Sequence, residues 1–426
     1  MAGQSFRFIH TGGFQLESTL VGLAEVPDHL RDTLTGAPYR AVEQVTETAI
    51  REEVDFVLLS GDVLDPTSGG PSALAFLQHQ CEQLRARKIH LYWAASRLDL
   101  TGNVLGRLQL PDNVHVFASD CVERLTHFRG QSPICTLYGR SWNDKRPLRA
   151  AEFVRESQEG FQIAVLYGPG DLEGGPRPGV DYWAVGGDTP MEIAPTRLQI
   201  VHGPGKPQGF SPRESGPRGC TLVNVDGEAE IRTRRIETDV VRWHEERLIV
   251  DGASSLRDAR QAFRTHMERL MSGVHRPMLV SWLLTGTGRF DTPLVRRKER
   301  DEILDWLRSD FGHRNPAIWS VQLEIEPPET IPEDWCDDDS ILSDFLRAIR
   351  GQMRDDAKPL ELKPFVPDVR LPQDLLDAMI GTEPTVAAMR LRETAVLGFD
   401  LLRGEETPGR NKEKYSSHAE SEGVTT

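Results

Sequence analysis

The first half of the chain alternates strand-length apolar runs with stretches whose apolar residues recur every three or four positions. The first pattern is typical of buried strands and the second of amphipathic helices. Strand, helix and strand at this spacing predict crossover units in a largely parallel sheet. The predicted elements are a strand at residues 6–10, a helix at 39–53, a strand at 55–60, a helix at 72–87 and a strand at 89–94.

Short apolar runs continue up to about residue 240, whereas helical periodicity becomes scarce beyond about residue 130. The second half of this region is therefore expected to be mostly sheet. Further strands are predicted at residues 115–117, 134–137, 163–167, 182–185, 198–201 and 221–225.

The pattern restarts after a break at residues 236–243 and predicts a compact βαβαβ module of about ninety residues. Its elements are a strand at 246–250, a helix at 254–272, a strand at 278–285, a helix at 294–310 and a strand at 317–325.

Proline-rich residues 326–332 then predict a linker, and helices are expected near 339–354, 372–380 and 384–402. The polar, apolar-poor residues from Gly404 onward are expected to be disordered. These patterns divide the chain into an α/β domain at 1–240, a small domain at 241–328, a helical region at 329–403 and a tail at 404–426.

Composition excludes some classes of protein. With 50 basic and 65 acidic residues among 426, the formal charge is −15, which disfavours a protein that coats nucleic acid by bulk electrostatics. Five scattered cysteines without a C-x-x-C pair disfavour a disulfide framework or a zinc knuckle. The sequence shows neither a signal peptide nor a run of about 20 apolar residues, so a cytoplasmic protein without membrane contact is expected.

Small residues cluster where the predicted strands end. In α/β sheets, ligands bind at the carboxyl ends of strands, so these loops mark a rim at which a site is expected. The rim loops contain Gly12-Gly13-Phe14-Gln15, Gly61-Asp62, Ala95-Ser96-Arg97, Tyr167-Gly168 and Gly186-Gly187-Asp188-Thr189.

The order of these segments resembles the SbcD nuclease family of the calcineurin-like metallophosphoesterases, which acts in double-strand-break repair. The family pattern is F-I-H-T-A-D-x-H, G-D-x-x-D, G-N-H-D, a lone histidine, and G-H-x-H. The matching segments here are Phe8-Ile-His-Thr11, Gly61-Asp62-Val-Leu-Asp65, Asp181-Tyr-Trp-Ala-Val-Gly186, Gly205-Lys-Pro-Gln-Gly209 and Gly219-Cys-Thr-Leu222. The resemblance implies a metallophosphoesterase core of mixed sheets with flanking helices, a capping domain at 241–328, and C-terminal helices that dock on an SMC-like ATPase.

The resemblance also implies two Mn²⁺ ions, yet most of the family's metal ligands are replaced here. Asp62 is the only retained ligand, and Arg97 falls at about the position of the catalytic histidine. The other ligand positions carry Gly13, Gln15, Ser96, Tyr167, Gly187 and Thr189. Loss of even an outer partner of a metal ligand costs about 10–100-fold in affinity or activity, so the ancestral reaction is expected to be lost and no cofactor is expected.

The leading hypothesis is therefore a subunit with no catalytic activity or very weak activity that scaffolds an SMC-like ATPase in DNA-end processing, with DNA contact and homodimerisation left open. One alternative is an active nuclease whose site is rebuilt from acidic residues. A second is a phosphate- or nucleotide-binding module that uses Arg97. The rebuilt site would use Asp62, Asp99, Asp171 and Asp188.

Two residues near the rim have structural interpretations beside the chemical ones. Asp62 alone is compatible with one weakly held divalent ion, but an aspartate at a Gly-Asp turn often bonds its own backbone amides, and that role is expected here. Strand alternation predicts that His10 points away from the ligand positions.

Overall fold

The computed structural model describes residues 4–64, 70–100, 104–153, 160–168, 179–187, 191–196, 199–250, 255–285, 296–326, 331, 336, 339–354 and 384–402. The chain divides into two compact units. The first comprises Met1–Glu246, Arg269–Trp282 and Trp306–Gln322, and the second comprises Arg247–Glu268, Leu283–Asp305 and Leu323–Thr426.

The elements predicted within the described residues are present in the expected order, and the structure adds strands at 123–129, 191–196 and 231–237 and short helices at 97–100 and 104–107 that were not predicted. The strands are β1 (Phe6–Gly12), β2 (Phe56–Ser60), β3 (His90–Ala94), β4 (Val114–Val116), β5 (Glu123–Arg129), β6 (Ser132–Arg140), β7 (Phe161–Tyr167), β8 (Tyr182–Gly186), β9 (Met191–Thr196), β10 (Gln199–Gly203), β11 (Gly219–Val225), β12 (Ile231–Glu237), β13 (Arg242–Ile249), β14 (Met278–Thr285) and β15 (Ile318–Ile325). The helices are α1 (Asp28–Arg51), α2 (Pro71–Ala86), α3 (Arg97–Leu100), α4 (Val104–Arg107), α5 (Leu256–Met271), α6 (Arg297–Phe311), α7 (Ile341–Arg354) and α8 (Pro384–Leu402).

Two six-stranded sheets make up the core of the first unit, and each is parallel at its centre. The first has the order β12-β11-β1-β2-β3-β4, in which β1 to β4 are parallel and β11 and β12 are antiparallel. The second has the order β5-β6-β7-β8-β10-β9, in which only the pairs β5–β6 and β9–β10 are antiparallel. In each sheet, the parallel strands at the centre therefore all end at one and the same edge.

Alternation of side chains along β1 and β2 explains why these strands read as continuous apolar runs. Phe8 and Phe56 face the second sheet and are fully buried there, with stacked rings 5.0 Å apart. Ile9 and Val57 face the opposite side and pack against α1 and α2. A strand buried on both faces needs apolar residues at every position, as a parallel sheet covered on both sides requires.

A third sheet has the order β13-β14-β15. In the first unit, Trp243 and Trp319 pack with Leu30 and Leu34 of α1. In the second unit, α7 and α8 pack through an apolar cluster that includes Leu346 and Phe399. The residues between α7 and α8, including the helix predicted near 372–380, lie outside the described residues, as does the tail from residue 403 onward.

The predicted fold class, an α/β metallophosphoesterase-like core of mixed sheets with flanking helices, is confirmed, whereas some predicted element bounds are wrong. Helix α1 begins at Asp28, eleven positions before its predicted start, although proline lacks an amide donor and Pro38 lies inside the helix. The buried contacts of Leu30 and Leu34 stabilise the turns that precede this proline. The domain boundaries stay predictions. No described helix is long and apolar enough to cross a membrane.

Candidate functional site

The loops that follow β1 and β2 run side by side at the rim of the first sheet. The amide of Gln15 donates to the carbonyl of Asp62 at 3.0 Å, and the amide of Leu16 donates to that of Val63 at 2.9 Å. Leu16 and Leu64 then form a parallel bridge. Pairing therefore continues beyond the ends of the two strands, into the region where the sequence predicted ligand positions.

Gly13 lies against the backbone of Asp62. A Cβ at position 13 would lie 2.6 Å from the carbonyl oxygen and 2.7 Å from the amide nitrogen of Asp62, closer than real Cβ atoms approach backbone atoms. Glycine at this position is thus required by the close approach of two chain segments, not by an unusual dihedral angle. An aspartate at position 13, as in the family pattern, has no room in this arrangement.

Asp62 is the retained acidic residue, and it is only 7% exposed. The hydroxyl of Tyr167, at the end of β7, lies 3.3 Å from Asp62 Oδ2 and donates to it. Within the described residues, Asp62 Oδ1 is buried and has no hydrogen-bond partner. Among the described residues, no amide of the Asp62 turn donates to its carboxylate, which was the structural role expected for it.

The ring of Tyr167 fills the space beside Asp62. Gly61 adopts a φ of +128°, and a Cβ there would lie 2.9 Å from the ring of Tyr167. The family pattern places a histidine ligand at position 167. In this chain the phenol at that position packs on the backbone of the neighbouring loop and donates to the Asp62 carboxylate.

Asp99 connects the loops that follow β2 and β3. Its carboxylate accepts the amide of Val63 at 2.8 Å and the amide of Ser96 at 2.9 Å. Burial raises the pKa of Asp99 to about 7, although these two amide donors oppose the shift. The side chain is 0% exposed, so it satisfies buried backbone groups and does not present oxygens to solvent.

Ser96 also has a local structural role. Its hydroxyl oxygen accepts the amides of Leu98 and Asp99 at 3.1 and 3.2 Å, at the start of the short helix α3. A hydroxyl that accepts two backbone amides in this way orders the turn. Ser96, one of the positions at which the sequence predicted a vestigial metal ligand, therefore stabilises its own loop.

Arg97 lies on the outside of the rim. Its Nε is 3.6 Å from Asp144 Oδ1, and 71% of its side chain is exposed. The same carboxylate oxygen accepts the indole N–H of Trp142 at 2.8 Å, and the ring of Trp142 meets the ring of Tyr167 edge to face at 6.5 Å. Sequence reasoning missed Trp142 because β6 was predicted to end at residue 137.

His10 lies below the rim, between the two sheets. It is fully buried, with Nδ1 3.1 Å from the Tyr182 hydroxyl and Nε2 3.4 Å from Ser60 Oγ. Burial, and secondly the neighbouring His202, lower the pKa of His10 well below its ordinary value. The imidazole is therefore neutral, and its hydrogen bonds inside the core connect β1 with β2 and β8, from which rim loops begin.

The structure thus brings together some of the predicted positions and leaves others apart. Gly13, Asp62 and Tyr167 are in contact, while Ser96 and Asp99 lie in the neighbouring loop. Gly187 borders open space, since no described atom lies within 4 Å of a Cβ placed there. Thr189, Asp171 and Asp188 lie outside the described residues.

The described residues do not fit a pair of metal ions. A two-metal site holds its ions about 3.5–4 Å apart with several carboxylate and imidazole ligands. The described positions supply one carboxylate, which is bonded to a phenol, and the described residues contain no group of three or more His, Cys, Asp or Glu side chains arranged for a metal.

Comparison with known proteins finds a similarity to a bacterial protein. The uncharacterized metallophosphoesterase YhaO of Bacillus subtilis (strain 168) is 26% identical over 334 residues, which cover 75% of this chain and 81% of the relative. No model of a protein family matches the chain. The similarity supports a relationship to the metallophosphoesterases, in agreement with the order of the rim segments.

The two rim glycines should respond differently to the same substitution. We expect Gly13→Ala to lower the free energy of unfolding by about 1–3 kcal/mol, because the new methyl group overlaps the Asp62 backbone. Gly187→Ala, the matched control, should change it by less than about 0.5 kcal/mol. Urea denaturation of both variants checks this, and equal stabilities would contradict the close contact at position 13.

Asp99 should make stability depend on pH. Because the pKa of Asp99 is raised in the folded state from 3.8 to about 7, its stabilising contribution is complete below about pH 4 and is lost as the pH rises towards 7. The wild type should therefore lose up to about 1.4 kcal/mol per pH unit across this window relative to Asp99→Asn, which does not titrate. Parallel slopes in urea denaturation from pH 4 to 7 would refute this prediction.

Proposed function

We propose that this relative of the metallophosphoesterases is a non-catalytic, SbcD-like subunit that scaffolds an SMC-like ATPase in DNA-end processing. The observation that carries the loss of catalysis is the contact among Tyr167, Asp62 and Gly13. The phenol of Tyr167 binds the retained carboxylate, and the loop at Gly13 packs against the Asp62 backbone, at positions where the family pattern carries metal ligands. The lost ligands are thus replaced by packing and not by other ligands at the described positions.

The expected size of the loss in metal affinity and catalytic activity favours this proposal over an enzyme of reduced activity. Metal ions in such sites both generate the nucleophile and neutralise the phosphate, so each lost ligand affects binding and chemistry together. Removal of a mere outer partner of a ligand costs about 10–100-fold. Gly13 has no side chain that could bind a metal, and a larger residue at this position would require movement of Asp62. The contribution of position 13 to metal binding is therefore lost completely.

The partner in the proposal follows from the SbcD resemblance and is supported by the surface of the C-terminal helices. Ile341 at the start of α7 is 77% exposed, and Leu401 near the end of α8 is 70% exposed. We infer from these exposed apolar side chains that the helical pair binds another protein.

A second candidate is a site with one divalent ion. It is favoured by the buried Asp62 Oδ1, which has no hydrogen-bond partner among the described residues. A buried carboxylate oxygen without a donor is costly, and a cation would satisfy it. The rebuilt acidic site remains a prediction as well, because Asp171 and Asp188 lie outside the described residues.

Metal content and nuclease activity test the loss of catalysis. We expect the full chain, purified in excess Mn²⁺ and then desalted, to retain less than about one ion per chain by mass spectrometry, because its ligand set is incomplete. It should not degrade linear DNA. Asp62→Ala and Tyr167→Phe are the matched variants. Two retained ions with nuclease activity that Asp62→Ala abolishes would contradict the proposal, and one ion lost in Asp62→Ala would establish the second candidate.

Co-purification tests the partner. Co-expression with an SMC-like ATPase of the same organism should give a complex that elutes together in size-exclusion chromatography. Leu401→Glu should reduce the recovered ATPase, because it places a charge on the exposed apolar surface of α8. Phe128→Ser alters an equally apolar, 51% exposed side chain on β5 and serves as the control. Absence of a complex with the wild type would refute the ATPase partnership.

A further inference from the structure

The C-terminal unit contains a groove of about 320 Å³ between α6, the end of β15 and α8, here named the α8 groove. Its apolar wall is made of Leu323 and Ile325 of β15 and Val396 and Leu397 of α8. The volume is at the lower end of the range typical of ligand pockets. Its apolar side chains lie along a strand and a helix, and such an elongated wall favours another chain over a small molecule as the occupant.

The periodicity of α8 explains how the groove forms. Leu391, Ala395 and Phe399, spaced by four residues, belong to the apolar cluster shared with α7. A second helical face lines the groove and carries Glu393, Val396, Leu397 and Asp400 at helical spacing. The helix therefore presents one apolar face to its own unit and a second, mixed face to the groove.

Charge around the groove is unbalanced. The carboxylates of Glu324, Glu393 and Asp400 line it, against the single guanidinium of Arg300. Asp400 is also bonded through Oδ1 to the amide of Arg297 at 3.0 Å. Burial lowers the pKa of Arg300, and nearby Asp400 and Asp301 oppose the shift. Thus Arg300 is balanced from within the unit, and the remaining acidic side chains favour a basic occupant.

An apolar stripe extends the groove along α8. Met389, Leu397 and Leu401 are 49%, 57% and 70% exposed and follow one another at multiples of four residues. Twelve residues of helix cover about 18 Å, which is the length of a partner helix of three to four turns. The acidic positions flank this stripe, so apolar and charged recognition are available along the same line.

We propose that the α8 groove binds an amphipathic helix of a partner chain in which Lys or Arg residues flank an apolar stripe. The aliphatic stems of these residues would lie along Leu323 and Val396 while their charged ends meet Glu393 and Glu324. The acidic lining excludes a nucleic acid occupant, whose phosphates it would repel. The inference rests on the proposed scaffolding function, and it specifies the chemistry of the partner's surface.

Fluorescence anisotropy of the full chain with two labelled helical probes tests the inference. The probes are a peptide of about 18 residues with Leu and Lys at amphipathic spacing and its Leu and Glu counterpart. The Lys peptide should bind, and the Glu peptide should not. Glu393→Lys should raise the dissociation constant of the Lys peptide roughly tenfold, because an attraction at close range becomes a repulsion. Leu397→Ser should raise it about fivefold through lost apolar contact.

Matched variants separate the groove from general charge attraction. Glu47→Lys changes the charge equally on the exposed side of α1 and should leave binding unchanged, as should Val21→Ser for apolar contact. Circular dichroism verifies that all variants are folded. Equal weakening by Glu393→Lys and Glu47→Lys would overturn the proposal. Binding of the Glu peptide would overturn it too, as would a dimer of the chain that the groove variants dissociate. Because the test involves neither metal nor ATPase, its outcome is distinguishable from failure of the proposed function.

Discussion

Burial of both faces of β1, β2 and β3 is the constraint on which the rest of the first unit depends. Phe8 and Phe56 pack between the two sheets, whereas Ile9 and Val57 pack against the helices. A shift of either strand by one residue would move each of these side chains to the opposite face of the sheet. The fixed register determines where each strand ends. The rim loops therefore begin at fixed positions along the edge of the sheet, and Gly13 comes to lie beside Asp62.

Buried polar residues below the rim form hydrogen bonds between the two sheets and so fix the position of one sheet against the other. His10 of β1 bonds Tyr182 of β8, and His202 of β10 bonds Thr221 of β11 at 2.8 Å. Both pairs cross between the sheets in a buried setting, where an unmade hydrogen bond is costly. Apolar packing alone tolerates small shifts, whereas these bonds have defined partners. The two sheets are thus held in one relative position close to the rim loops.

Much of the fold could be predicted because strand patterns depend on local sequence. The runs that became β1, β2 and β3 indicated both their length and their loops. The start of α1 could not be predicted, since Leu30 and Leu34 gain their stability from Trp243 and Trp319, which are distant in sequence. At the site, the sequence identified Asp62 as the acidic residue of the rim, and its burial in the structure agrees with a place at the base of these loops. The bond between Tyr167 and Asp62 could not be predicted, because it joins residues 105 positions apart.

The fit of Gly13 against Asp62 has a consequence for how such a chain can change over generations. A single substitution that introduces an aspartate at position 13 would require the loops after β1 and β2 to separate, although they share backbone hydrogen bonds. Until the loops had separated, the new side chain would only cost stability. The first step towards a carboxylate at position 13 is therefore unfavourable, and selection for stability opposes it.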